Sequence, residues 1–253
     1  MQKLRLRYAK RGRLRFTSHR DVARAFERAL RRAGVPMAYS QGFSPHPKVS
    51  WIGAAPTGVA SEAEYVEIQL AIRVDPETLR VELDAALPPG LDVLEAVEAG
   101  PGTLPERIEA SRWRIELPGV DPVELAKAAE ELLAREVVEV ERLLKDGRRM
   151  IDARAAVVDL RVDSEVETTT THVGDGPQPG LRCGILTAVV RQTTPTVRPD
   201  DVLSALRVVA DLVPPVPAKA SRLAQGRLDD SGDLTDPLAP DREATPPVLE
   251  APR

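Results

Sequence analysis

Residues 3–34 read KLRLRYAKRGRLRFTSHRDVARAFERALRRAG, and one change of rhythm within them decides the fold. Over residues 3–8 charged and apolar side chains alternate, the two-residue period of a strand with one buried face. Leu4, Leu6 and Tyr8 point one way, and Lys3, Arg5 and Arg7 the other. KRG makes a bend, and RLRF resumes the alternation through Leu14 and Phe16. The period then lengthens. Val22, Phe26, Ala29, Leu30 and Ala33 fall at the spacing of a helix's buried stripe. Ser18 stands where an N-cap belongs, Asp21 favours the first turn, and Gly34 marks the C-terminal stop.

Outward from this stretch, strand-like segments follow near 35–40 and 48–54, and a third runs through EYVEIQLAI at 64–72. Asp75 and Pro76 open a second helix, and LDVLEAVEA at 91–99 returns as a strand. The order is strand, helix, strand, strand, helix, strand. After a loop rich in Gly and Pro at 100–105 the order starts again, with Asp121 and Pro122 opening one helix and RPDDVLSALRVV forming another. MIDARAAVVDLRV at 150–162 fits helix or strand equally. The expected fold class is therefore α+β, with tandem ferredoxin-like (βαββαβ) domains whose antiparallel sheets carry their helices on one face. The expected domains are 1–99 and 106–217. Residues 163–180 read as a mobile hairpin loop, and 218–253, acidic and rich in Pro, as a disordered tail.

Composition narrows the chemistry. No run of 18 apolar residues occurs, so no membrane helix is expected, and the basic N-terminus lacks the apolar core of a secretory signal. One cysteine, Cys183, excludes an intramolecular disulfide and points to a reducing, cytoplasmic setting. One cysteine and three scattered histidines also supply too few ligands for an iron–sulfur cluster or a structural zinc. No metal and no cofactor are expected, and any redox or radical chemistry would belong to a partner. The net charge of −4 conceals an asymmetry: residues 1–50 hold 13 Lys/Arg against two acids, Asp21 and Glu27. A segment so positive in an acidic chain reads as a footprint for a polyanion; the alternative is a solvated basic edge.

Arg20, Arg24, Arg28 and Arg31 or Arg32 recur at three- and four-residue spacing, one stripe opposite Val22, Phe26 and Leu30. Guanidinium forks along a rod suit successive phosphates. His19 stands at the start of that helix. It reads either as a general acid or base or as a polar helix-start residue packed on the preceding strand. In YSQGFSPHPKVSW, residues 39–51, Pro45 and Pro47 restrict the backbone before them. Gly42 permits close approach, Tyr39 and Phe43 can stack on a ring, and Gln41, Ser44, His46 and Lys48 supply polar contacts. The alternative is a rigid structural turn. His172 reads as solvated, and Cys183 as a small buried hydrophobe. A Walker loop, a GxGxxG, an HExxH and a GxSxG are all absent from the sequence.

The motif RFTSHRDVARAFERALRRAGVPMAYSQGFSPHPKVSW, followed by PTGV-x-SE-x-EY, resembles an uncharacterised bacterial family of radical-SAM-associated proteins, in its stand-alone form. The residues that match are Phe16, Ser18, His19, Asp21, Phe26, Glu27, Tyr39, Gln41, Gly42, Phe43, Pro45, His46, Pro47 and Lys48. The resemblance implies a radical-SAM enzyme as partner, often one of cobalamin-binding type, and supplies no reaction. A more distant architectural likeness is to the CRISPR-repeat endoribonucleases, although fold does not transfer function. The expected function is an accessory protein that binds RNA or another polyanionic substrate for the radical-SAM enzyme. Its substrate-binding residues are His19, Arg20, Arg24, Arg28, Tyr39, Gln41, Phe43, Ser44, His46 and Lys48. Two alternatives stand: a metal-independent endoribonuclease using His19 or His46, or a protein–protein adapter. His19 and His46 are expected to share one concavity with Gln41, Ser44, Lys48 and Arg20.

Overall fold

The structure, a computed structural model, describes residues 1–144, 147–163, 167–169 and 181–244. The chain divides into two units. The first comprises Met1–Ile108 and the segment from Thr235, and the second Glu109–Leu234.

The first unit runs β1 (Gln2–Lys10), α1 (His19–Arg32), β2 (Val49–Ile52), β3 (Ala60–Leu70), α2 (Pro76–Ala86) and β4 (Leu91–Glu98). Its strands lie in the order β4-β1-β3-β2 and are antiparallel to their neighbours. The alternation in β1 sends Leu4, Leu6 and Tyr8 toward the helices, where Val66, Ile68 and Leu70 of β3 meet them. Val22, Phe26 and Leu30 of α1 and Leu79 and Leu83 of α2 complete this core, all buried. Each such side chain contributes about 1.5–3 kcal/mol on burial.

Ser18 caps α1 by accepting from the Asp21 N–H at 3.3 Å. At the other end Gly34, at φ +63°, takes the left-handed conformation. Its N–H donates to the Arg31 carbonyl, and the Val35 N–H donates to that of Leu30. This paired closure needs a residue free to adopt positive φ, which is why the helix stops at its glycine. RLRF does not continue the strand, however. Gly12–Phe16 is a 3-10 turn that leaves Phe16 exposed.

The second unit runs β5 (Ala110–Pro118), α3 (Pro122–Leu133), β6 (Glu139–Leu144), β7 (Gly147–Asp152), β8 (Val157–Val162), β9 (Glu167–Thr169), β10 (Leu181–Arg191), α4 (Pro199–Ala210), β11 (Lys219–Leu228) and β12 (Leu234–Thr235). The sheet order is β11-β5-β10-β8, again antiparallel. β6 and β7 pair with each other as a separate hairpin. The ambiguous stretch at 150–162 therefore resolves into the end of β7, a 3-10 turn at Arg154–Ala156 and β8. Of the hairpin loop expected over 163–180, residues 164–166 and 170–180 lie outside the described residues.

Each unit is thus a mixed α+β body with an antiparallel sheet and two long helices packed on it. The expected disordered tail from 218 is corrected. Residues 219–228 form β11, and α5 (Ala239–Ala244) returns to the first unit. Leu238 is fully buried there with Ile52, Ala63, Tyr65, Leu104 and Ile108. Asp241 is also fully buried; its carboxylate accepts from both Arg5 and Arg107. An acidic, Pro-rich composition ordinarily signals solvation, but here its key acid is desolvated against two guanidinium groups. Residues 245–253 lie outside the described residues.

Candidate functional site

The basic first fifty residues do not form one open patch. Register places most of the β1 cations opposite acids. Lys3 and Arg5 both reach Glu67 on β3, at 3.2 and 3.0 Å. Arg5 also forks onto Asp241 at 2.7 and 3.0 Å, and Arg7 faces Glu95 of β4 at 3.9 Å. Lys10 donates to the carbonyls of Ala55 and Pro56. Just past the strand, Arg11 binds Glu62 and Asp92. Its hydrogen bond to Glu62 holds the guanidinium pKa above its ordinary value.

Helix α1 is different. Arg20, Arg24 and Arg28 are exposed along it. Arg24 has one carboxylate within range, Asp21 at 3.8 Å, and both groups are more than half exposed, a pairing worth little in water. Among the described residues the Arg20 and Arg28 side chains make no ion pair. Arg31 and Arg32 are turned to carbonyls, those of Glu27 and Ala86. The predicted stripe therefore narrows to Arg20, Arg24 and Arg28.

Packing fixes where this stripe sits. α2 lies against β4, so α1 covers the other side of the sheet, toward β2. Trp51 of β2 is the contact: its ring meets Phe26 at 5.2 Å and His19 at 5.4 Å, edge-on in both cases, and Tyr8 at 6.0 Å. His19 is thus held at the start of α1 by an aromatic wall. Asp21 does not orient it. Its carboxylate accepts from the Ser18 hydroxyl at 2.6 Å and faces Arg24.

The loop carrying the other predicted residues is an excursion from the sheet edge. The Ala38 N–H donates to the Gln69 carbonyl, and the Gln69 N–H to that of Lys48. Residues 39–47 bulge out between these two points. The Lys48 N–H closes the base on the Ala38 carbonyl, and a bridge pairs Tyr39 with Pro47. Higher up, the Ser40 N–H donates to the His46 carbonyl at 2.8 Å, and the His46 N–H to Ser40 Oγ at 3.0 Å. Gly42 at φ +130° turns the tip, a conformation other residues rarely adopt. Gln41, Phe43, Ser44 and His46 are all exposed there.

Register separates Lys48 from this group. Val49 and Trp51 pack with the helix-side core, whereas Ile52 packs on the opposite face. Alternation then puts Lys48 and Ser50 on the Ile52 face, away from α1. Lys48 does not share a concavity with His19. His46 stands in the loop leading into β2, and His19 lies against Trp51 of β2.

Three residues escaped the sequence reading of the site. Ser40 staples the loop, Trp51 seats His19, and Phe16 lies exposed under the Arg15 guanidinium at 4.6 Å. A hydroxyl six residues before a histidine carries no motif. The exposure of Phe16 followed from the 3-10 turn, which the strand-like alternation concealed. Among the described residues no three His, Cys, Asp or Glu side chains are grouped to hold a metal, and no helix is long and apolar enough to cross a membrane. His172 lies outside the described residues.

A family model described as an uncharacterised protein conserved in bacteria (DUF2344) matches residues 3–199. No curated protein matches. Among solved structures, the first two RRM domains of yeast poly(U) binding protein (Pub1) align over 87% of this chain and 98% of that one, with 9% identity and a TM-score of 0.22. At that similarity nothing is carried across.

Proposed function

The chain belongs to the DUF2344 family of uncharacterised bacterial proteins, and we propose that its first unit binds RNA through the exposed face of α1 and the adjoining loop. One observation carries the reading. The β1 arginines and Arg11 face acids, whereas Arg20 and Arg28, two turns apart on one helix, have no ion pair among the described residues. With Arg24, more than half exposed, about one turn from each, these guanidinium groups suit successive backbone phosphates. We read the scaffold as two ferredoxin-like units, because the strands of each share the spatial order fourth-first-third-second, counting them without the β6–β7 hairpin, β9 and the two-residue β12. The radical-SAM link implied by the sequence resemblance enters as the finer part of the proposal: the protein presents bound RNA to such an enzyme.

Binding of a labelled RNA measured against salt tests the first part. With Arg20, Arg24 and Arg28 neutralising three phosphates of a single strand, affinity falls about 20-fold between 50 and 200 mM salt. The double variant Arg20→Glu with Arg28→Glu sharply weakens binding while the far-ultraviolet circular dichroism stays unchanged. Absence of binding at 50 mM salt overturns the proposal. Co-purification after co-expression with a radical-SAM enzyme tests the second part, and separate elution overturns it.

A further inference from the structure

We infer that the RNA held at this site is single-stranded, its bases stacked on the exposed aromatic side chains that flank the arginine face; the inference rests on the RNA-binding reading above. The chain has eight Phe, Trp and Tyr residues, and three of them are exposed: Phe16 at 61%, Tyr39 at 51% and Phe43 completely. All three lie within the first 43 residues. An exposed aromatic forgoes the burial that usually recruits it, worth about 1.5–3 kcal/mol for Phe, so three exposed in one unit are not a by-product of the core.

The fold sets Phe16 just ahead of the first of these cations and the other two on a stapled loop. Phe16 ends the turn that feeds α1, placing it close in sequence to Arg20. Tyr39 and Phe43 stand on the excursion that leaves the β2 side of the sheet, the side α1 covers through Trp51. The excursion is stapled at three levels, by the Lys48–Ala38, Tyr39–Pro47 and Ser40–His46 pairings. Phe43 is therefore presented on a pre-organised base, which lowers the ordering entropy lost on binding.

The chemistry distinguishes strand states. A duplex hides its base faces in its own stack and offers phosphates alone. A single strand offers both, and stacking on an aromatic ring is worth about 1–3 kcal/mol per base whatever the sequence. Arginines for the backbone with rings for the bases match the second ligand.

Fluorescence anisotropy of the full chain at 50 mM salt tests this with three probes: a 12-nucleotide single strand, a hairpin duplex of the same composition, and heparin as a polyanion without bases. The single strand is expected to bind at least tenfold tighter than the duplex. Phe43→Ala, at a fully exposed position and so harmless to folding, should weaken the single strand about tenfold and leave heparin unchanged. Arg20→Glu with Arg28→Glu should weaken all three. Equal affinity for strand and duplex, or a Phe43→Ala variant that binds the single strand like the parent, overturns the inference while RNA binding stands. Failure of all three probes overturns the RNA-binding reading itself.

Discussion

Each unit has an antiparallel sheet and a capped first helix, but the two helices carry opposite charge. The first helix of the first unit, α1, holds five arginines against Asp21 and Glu27; its counterpart α3 holds Glu124, Glu130 and Glu131 against Lys127. Their caps and buried stripes are alike. Asp121 and Ser18 both hold a first turn, and Leu125, Ala129 and Leu132 of α3 are buried as Val22, Phe26 and Leu30 are in α1. The outer face of a helix is free of the constraints that fix its inner face, so charge there bears on solubility and association rather than on the fold. The sheet faces away from the helices differ as well. In the first unit the chain's own residues around Leu104 and Leu238 close that face. In the second, Arg112, Asp159 and Arg161 line a recess of about 310 Å³.

The largest test of this contrast is Asp241→Ala. It leaves the Arg5 guanidinium, 2% exposed, without its buried carboxylate. Breaking such a pair costs about 3–5 kcal/mol. Hydrogen exchange should show the protection of β1 and β3 amides lost while β5 and β10 keep theirs. Equal loss in both units would show that they do not unfold independently, and the comparison would fail.

Gly184→Ala is the complementary change. A Cβ there would sit 2.9 Å from Leu125 Cδ2 and 3.2 Å from the Val120 carbonyl. Overpacking of this kind costs about 1–3 kcal/mol. The loss should fall on β10 and α3, and RNA affinity measured in native buffer should not change.

Charge reversal on the two outer helix faces sharpens the comparison. Arg20→Glu with Arg28→Glu should alter RNA affinity with stability within about 0.5 kcal/mol of the parent. Glu130→Arg with Glu131→Arg on α3 should alter neither. If the α1 change unfolds the first unit, its arginines are structural and the contrast between the helices is one of stability alone.

The smallest effect is shared by both units. The Thr78 N–H holds the Asp75 carboxyl below its ordinary pKa, and the Val123 N–H, aided by Arg182, does so for Asp121. A depressed folded-state pKa gives stability that is present above the unfolded value, about 4 for Asp, and is lost as pH falls through the folded value. Denaturation midpoints should therefore drop modestly below about pH 4. Asp75→Asn and Asp121→Asn should each flatten that decline. A decline as steep in both variants as in the parent would remove the caps as its source.

Much of each unit was legible because its signals are local. Leu4, Leu6 and Tyr8 mark a strand by alternation, Ser18 and Gly34 bracket α1, and Asp75-Pro76 and Asp121-Pro122 announce α2 and α3. Around the loop, the two prolines and Gly42 announced a restricted turn. What was not legible is non-local. Alternation in RLRF gave no sign that the bend at Gly12 would become a 3-10 turn. Lys48 looked like part of the loop's polar cluster, and only the pairing of Val49 with Ile68 set the face on which it lies.

By itself the sequence determined the alternation of β1, the caps and buried stripes of α1 and the openings of α2 and α3, and the presence of α1's arginines, since each depends on residues within a turn or two of one another. The tertiary structure decided which of those charges remain available. Arg5 lies 236 residues from Asp241, and no local pattern foretells that an acidic tail will return to match it. Burial in a low-dielectric interior makes that match obligatory. On the exposed face of α1 nothing forces a partner on Arg20 or Arg28.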